Sequence, residues 1–110
     1  MNTPNTPYNP TTGAAYGGMA NVSALVAAMA GHNWSSGQFA GFWQWLGAGR
    51  AVRKGEHGTR IMLIVDKKDT ENPEKKHKVA KTRVVFAFEQ TEPAATPEDR
   101  AERRAEARMS

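Results

Sequence analysis

The sequence predicts an α+β fold, with two helices packed on a small antiparallel sheet, a disordered N-terminus and a charged C-terminal helix. Three observations carry that expectation. Apolar residues recur at three- and four-residue steps between Met19 and Met29, and the period changes to two in the runs that begin at Thr59 and Val84. The chain is also short, 110 residues with no cysteine, so it has room for one core and neither a disulfide framework nor a thiolate metal site to support it.

Residues 1–12, "MNTPNTPYNPTT", are polar and proline-rich with almost nothing to bury, and are expected to be disordered. The folded unit is expected over residues 13–92. Met19, Val22, Val26 and Met29 fall on one helical face, predicting a first helix over 20–30 with Gly31 as its stop. In "WSSGQFAGFWQWLGAG" the aromatics are too dense for periodicity to separate strand from helix. The reading there is a short extended piece over 38–40, then a helix over 41–48 that buries Phe42, Trp45 and Leu46. Trp43 then stands to one side, in line with Gly47 and Arg50.

Ile61, Leu63 and Val65 alternate with Met62 and Ile64, and Val84, Phe86 and Phe88 with Val85 and Ala87, giving two strands with little exposed face. The hydrophilic "DKKDTENPEKKHK" between them reads as the long, mobile tip of an antiparallel hairpin. Residues 93–110 read as a linker and a charged helix, with Thr96 as N-cap, Pro97 at the first helical position and acids in the first turn.

Charge is sharply partitioned. No Lys, Arg, Asp or Glu precedes Arg50; residues 50–83 hold eleven basic and five acidic side chains, and residues 84–110 hold four basic and six acidic ones. A basic middle suits a polyanion, although a solvated surface has the same composition. "VSALVAAMA", residues 22–30, has the length of a signal-peptide core but lacks a basic flank, and it is too short to span a bilayer. No membrane segment is expected, and with no cysteine a cytoplasmic setting is the default.

Catalysis lacks its parts. His32, His57 and His77 form no i, i+4 pair and have no cysteine to complete a metal set, while the acids crowd into loop and tail beside Lys and Arg. The chain is read as a non-enzyme without metal or cofactor. "RAVRKGEHGTRIML", residues 50–63, is better endowed. Gly55 and Gly58 can take positive φ and turn backbone N–H groups outward beside Arg53 and Lys54, a nest for anionic oxygens; the plainer alternative is an ordinary turn whose glycines serve geometry. Five aromatics between Trp34 and Trp45 exceed what one short helix can hide, so a ring left beside Arg50 could stack a base.

Four stretches in order, "NPTTGAAY" (9–16), "FAGFWQ" (39–44), "VRKGEHGT" (52–59) and "VFAFEQTE" (85–92), resemble the N-terminal domain of the ArdC-type antirestriction proteins. The resemblance covers residues 9–92, with Phe39 in place of the family's tryptophan and His57 in place of its lysine. It implies single-stranded DNA binding with little sequence preference, in the setting of a mobile element or phage. The zinc peptidase domain that commonly follows in that family carries an H-E-x-x-H motif, which these 110 residues lack, so no peptidase activity is expected of them. On this reading Arg50, Arg53, Lys54 and Arg60 meet phosphates, Gly55, His57 and Gly58 of the same turn belong to the DNA-binding site, Lys67 and Lys68 add long-range attraction, and Tyr16 or Trp43 stacks. The alternative is a module that binds a host protein through its tail and exposed aromatics. Oligomeric state is left open.

Overall fold

Helix α1 (Met19–His32) is built from good helix formers, and it runs past Gly31 because Asn33 takes the left-handed cap, φ 60° and ψ 40°, with its N–H on the Met29 carbonyl. The computed structural model describes residues 6–68, 71–72, 74–94 and 97–109. The buried face of α1 is not the expected one. Leu25 and Met29 point inward, while Met19 and Val26 are exposed. Its roll is fixed by Asn21, whose carboxamide donates to the Met62 carbonyl at 2.7 Å and accepts the Met62 N–H at 2.8 Å.

Strand β1 (Phe39–Ala40) and helix α2 (Phe42–Gly47) occupy the positions the sequence predicts. β2 (Arg50–Val52) follows, then the long strands β3 (Thr59–Lys68) and β4 (Lys76–Ala87). The main sheet has the antiparallel order β1-β4-β3. Contrary to expectation the ladder continues through Asp66↔Lys78, Lys67↔His77 and Lys68↔Lys76, so six residues of the expected tip are paired strand and only residues 69–75 lie beyond the ladder. Alternating lysines hid a strand that composition alone reads as loop. At its other end β4 stops at Ala87, and Phe88–Gln90 form a 3-10 turn into β5 (Thr91–Pro93), which pairs with β2 in a second small sheet.

The helices pack on opposite faces of the main sheet. On one face Leu25 and Met29 meet Phe39, Ile61, Val85 and Ala87, with Tyr16, Trp34 and Leu63 at the margin. On the other, Trp45 packs with Ala40 and Val52 against Phe42, Phe86 and Phe88, and its indole N–H donates to the Phe86 carbonyl at 2.8 Å. Leu46, Ala51 and Ala94 extend this second core toward β5. The arrangement is α+β.

The N-terminal expectation is corrected for residues 6–12; residues 1–5 lie outside the described residues. Tyr8 donates its N–H to the Gly37 carbonyl and accepts from the Phe39 N–H, which adds it beside β1, and Pro7 is buried. Asn9 closes the following turn: its Oδ1 accepts the N–H of Thr11 at 2.9 Å and the hydroxyl of Thr11 at 2.6 Å. Backbone pairing, which composition does not report, makes this segment part of the fold. At the other end α3 (Pro97–Met109) forms as expected, and Arg103 reaches Glu92 of β5 at 2.6 Å. The N-cap expected at Thr96 lies outside the described residues.

Glu89 ties the α1–β1 loop to the 3-10 turn by accepting the N–H groups of Ser35 and Ser36 at 2.8 and 2.9 Å and the Ser36 hydroxyl at 2.8 Å. Partial burial works against its charge, but the hydrogen bonds from Ser36, from its own N–H and from Ser35 outweigh that and hold its carboxyl below the ordinary glutamate range. A depressed folded pKa means stability that is present above the unfolded value, about 4.3, and lost as pH falls through the folded one. Glu89→Gln is therefore expected to unfold more easily than the parent at pH 7 and to lose less on acidification. Parallel acid profiles of the two thermal midpoints would remove that role from Glu89.

Candidate functional site

β1 pairs with β4 only at Phe39↔Ala87 and Ala40↔Phe86 before the chain turns away at Gly41. The neighbouring edge of β4 is left uncovered, and a groove of about 690 Å³ opens there. Asn9 and Tyr16, then Phe42, Trp43 and Gln44, line it together with Thr82, Arg83 and Val84 of β4. Gln44 holds the walls together, since its Oε1 accepts both the Gly41 N–H and the Asn9 amide, each at 2.9 Å.

The ladder register determines what β4 presents. Met62 spends its backbone N–H and C=O on Asn21, on the side away from β4, so Met62 and Thr82 are a pair without mutual hydrogen bonds. By the two-residue alternation Arg60 and Val84 are another. Thr82 and Val84 accordingly turn a donor and an acceptor each away from β3, toward the groove.

Of the two predicted stacking residues, Trp43 is 53 % exposed and its ring meets Phe42 edge-on at 5.2 Å. Tyr16 is half-buried, and its hydroxyl donates to the Phe39 carbonyl at 2.7 Å. Burial pushes that phenol up to about 12, with the Asn9 side chain working in the opposite sense, so Tyr16 offers the groove a neutral ring edge. The structure brings these two residues into one site.

Arg50 is placed differently from expectation. Instead of standing beside Trp43 it enters β2, lies 4.1 Å over the Phe88 ring, and donates to the Thr91 hydroxyl at 2.8 Å and the Thr91 carbonyl at 3.2 Å. Those contacts join the 3-10 turn to the second sheet. Arg53 is divided between Glu56, at 3.4 Å, and the Glu89 carbonyl, at 2.7 Å.

The glycines of the β2–β3 loop act in two ways. Gly55 has φ +86°, as the turn reading and the nest reading both need. Gly58 does not take positive φ, contrary to expectation; it is glycine because a Cβ there would fall 2.3 Å from Val84 Cγ1 and 2.8 Å from the Val85 carbonyl oxygen. The loop is anchored by Gln90, whose amide donates to the His57 carbonyl at 2.7 Å and to Glu56 Oε1 at 3.1 Å. Lys54 and His57 sit in this loop, and Gly58 abuts Val84 and Phe86, both groove residues. Arg60 is the register partner of Val84, whereas Lys67 and Lys68 lie near the far end of the ribbon on opposite faces.

Arg83, Thr82, Asn9 and Gln44 were not predicted for the site. Arg83 was readable in one respect, since it precedes the apolar run at Val84 as Arg60 precedes Ile61, but only the register and the short β1 reveal that it borders a groove. Among the described residues no cluster of His, Asp or Glu could hold a metal ion, and no helix is long and apolar enough to cross a membrane.

The family model of the N-terminal domain of anti-restriction factor ArdC matches residues 1–106. Among solved structures, the metal-free antirestriction ArdC protein from plasmid R388 aligns with a TM-score of 0.68 and 28 % identity, covering 84 % of this chain and 39 % of that one. Its Mn(II)-bound form aligns with a TM-score of 0.69 and 28 % identity, covering 81 % and 35 %. The chain thus spans less than two fifths of the length of those structures. Comparison with curated proteins gives no match.

Proposed function

Because the chain belongs to the family of the N-terminal domain of anti-restriction factor ArdC, we propose that it binds single-stranded DNA without catalysis and with little sequence preference, in the cytoplasm, as part of antirestriction or DNA handling by a mobile element or phage. The observation that carries this reading is the groove. An exposed indole, Trp43, lines it together with Tyr16, with Arg83, a cation whose side chain has no partner among the described residues, and with two strand-edge donor–acceptor pairs. An aromatic face beside a cation accepts any base, and backbone groups that offer both a donor and an acceptor satisfy any base edge. That combination supports tolerance of sequence and requires unpaired bases.

A fluorescence anisotropy titration with a thymine oligonucleotide and a duplex of equal length tests it. The single strand is expected to bind more tightly and to change tryptophan emission. Trp43→Ala is expected to weaken single-strand binding by about 1–3 kcal/mol, the usual worth of one stacked base, with folding retained because the ring is largely solvent-facing. Equal affinity for strand and duplex, or an unaffected Trp43→Ala variant, would reduce the groove to a surface feature beside a basic patch.

A further inference from the structure

We propose that a strand seated in the groove continues along one particular face of the β3–β4 ribbon, the face that carries Arg83, Lys81 and Lys67, so that the binding tract extends from the groove toward the β3–β4 turn. The proposal rests on the single-strand reading of the groove and assigns the tract that reading leaves open.

Residues on one face of an antiparallel ladder are those whose register partners share it. One face therefore holds Ile61 with Arg83, Leu63 with Lys81, Val65 with Val79 and Lys67 with His77. It contains no acid: Asp66, the sole carboxylate in the two paired strands, faces Lys78 on the opposite side. Arg83, Lys81 and Lys67 are all exposed, and their side chains make no hydrogen bond or ion pair among the described residues. Helix α1 is pinned at the outer edge of β3 by Asn21 and covers Val85 and Ala87 at one end of this face, which leaves Arg83 and Lys81 of β4 exposed toward the turn.

Continuity with the groove selects this face. Arg83 lines the groove, and Lys81, two residues on, lies about 6.6 Å further along the strand. The ribbon then runs a further four residues to His77, beside Lys67, a tract of about 20 Å from Arg83. Leu63, Val65 and Val79, all partly buried, give it an apolar floor for sugars. The opposite face has cations too, Arg60, Lys68, Lys76 and Lys78, but they surround Asp66 and the exposed Met62 and Ile64. No Phe, Tyr or Trp occurs from Thr59 to Val85, so stacking ends at the groove and the tract binds by charge.

That separation of chemistries supplies the test. Thymine oligonucleotides of four and twelve nucleotides are titrated onto the full chain across a salt series, with tryptophan emission recorded. The longer strand is expected to show the steeper fall of affinity with salt, while both give the same emission change. Lys67→Gln combined with Lys81→Gln is expected to flatten the twelve-nucleotide slope by about 1.4, at about 0.7 per phosphate contact, and to leave the four-nucleotide slope and the emission change intact. Lys68→Gln combined with Lys78→Gln, on the other face, is expected to change neither slope; thermal midpoints confirm that both variants fold.

Equal flattening by the two double variants, flattening of the short strand as much as the long one, or no flattening at all would overturn the tract while leaving the groove reading in place. A four-nucleotide strand that neither binds nor alters emission would overturn the groove reading and the tract with it.

Discussion

Gly58→Ala is expected to cost about 3 kcal/mol and to lower the thermal midpoint by roughly 12–24 °C, since about 1 kcal/mol moves a domain near this size by 4–8 °C. The new Cβ would fall 2.3 Å from Val84 Cγ1, 2.8 Å from the Val85 carbonyl oxygen and 3.2 Å from Phe86 Cε2. Val84 is partly exposed and its methyl can turn away. The Val85 carbonyl cannot, because Val85 sits in the ladder opposite Thr59, the very next residue after Gly58. Relief therefore requires the loop to lift off β4, which disturbs the wall of the groove as well. Gly55→Ala supplies the comparison: its Cβ meets nothing within 4 Å, and only its φ of +86° resists a side chain, a cost of about 1–2 kcal/mol. Thermal unfolding of both variants by circular dichroism checks the ranking, and a Gly58→Ala protein as stable as Gly55→Ala would show that close approach is not what requires glycine there.

Gln90→Ala has the second large effect, again about 3 kcal/mol. The side chain is only 2 % exposed and all its bonds are internal: Oε1 accepts the Ala87 N–H at 2.9 Å, and Nε2 serves the His57 carbonyl and Glu56. Truncation strands a buried donor at Ala87 and an acceptor at His57, each worth about 1–3 kcal/mol when left unpaired, and opens a cavity besides. Gln90→Glu separates the two contributions by keeping the volume while turning a carboxylate oxygen toward the His57 carbonyl and the Glu56 carboxylate. It is expected to be about as unstable as Gln90→Ala at pH 7, measured by urea unfolding. A near-native Gln90→Glu would mean that the packing, and not the donor, anchors the loop.

Gln90 also marks where sequence reading stops. As part of "VFAFEQTE" it belongs to a stretch that resembles a family, yet nothing in a polar residue at the end of an apolar run tells that it reaches back more than thirty positions to hold the basic loop. Period-two alternation found β3 and β4, but it ended both strands where lysines replaced valines, although Asp66, Lys67 and Lys68 remain in register with Lys78, His77 and Lys76. β2 and β5, three residues each, are too short to carry a period. In α1 the expected stripe missed Leu25, because the helix rolls to deliver Asn21 to a strand forty-one positions away. Trp43 was legible as the aromatic turned aside from the Phe42, Trp45 and Leu46 face. Arg83 was not, since its role depends on how soon β1 ends.

Asn21 has a consequence for how copies of this chain behave at high concentration. β3 is the outer strand of its sheet, and an outer strand with free backbone groups is a template on which a second molecule can zip itself. At Met62 the template is already occupied: one carboxamide supplies the donor and the acceptor that a neighbouring strand would bring. Toward the turn the strand continues into Asp66, Lys67 and Lys68, whose charges oppose stacking against an identical edge. A second strand pairing at Met62 would first have to displace that carboxamide, so the same side chain that sets the roll of the helix also closes this position of the edge to a neighbour.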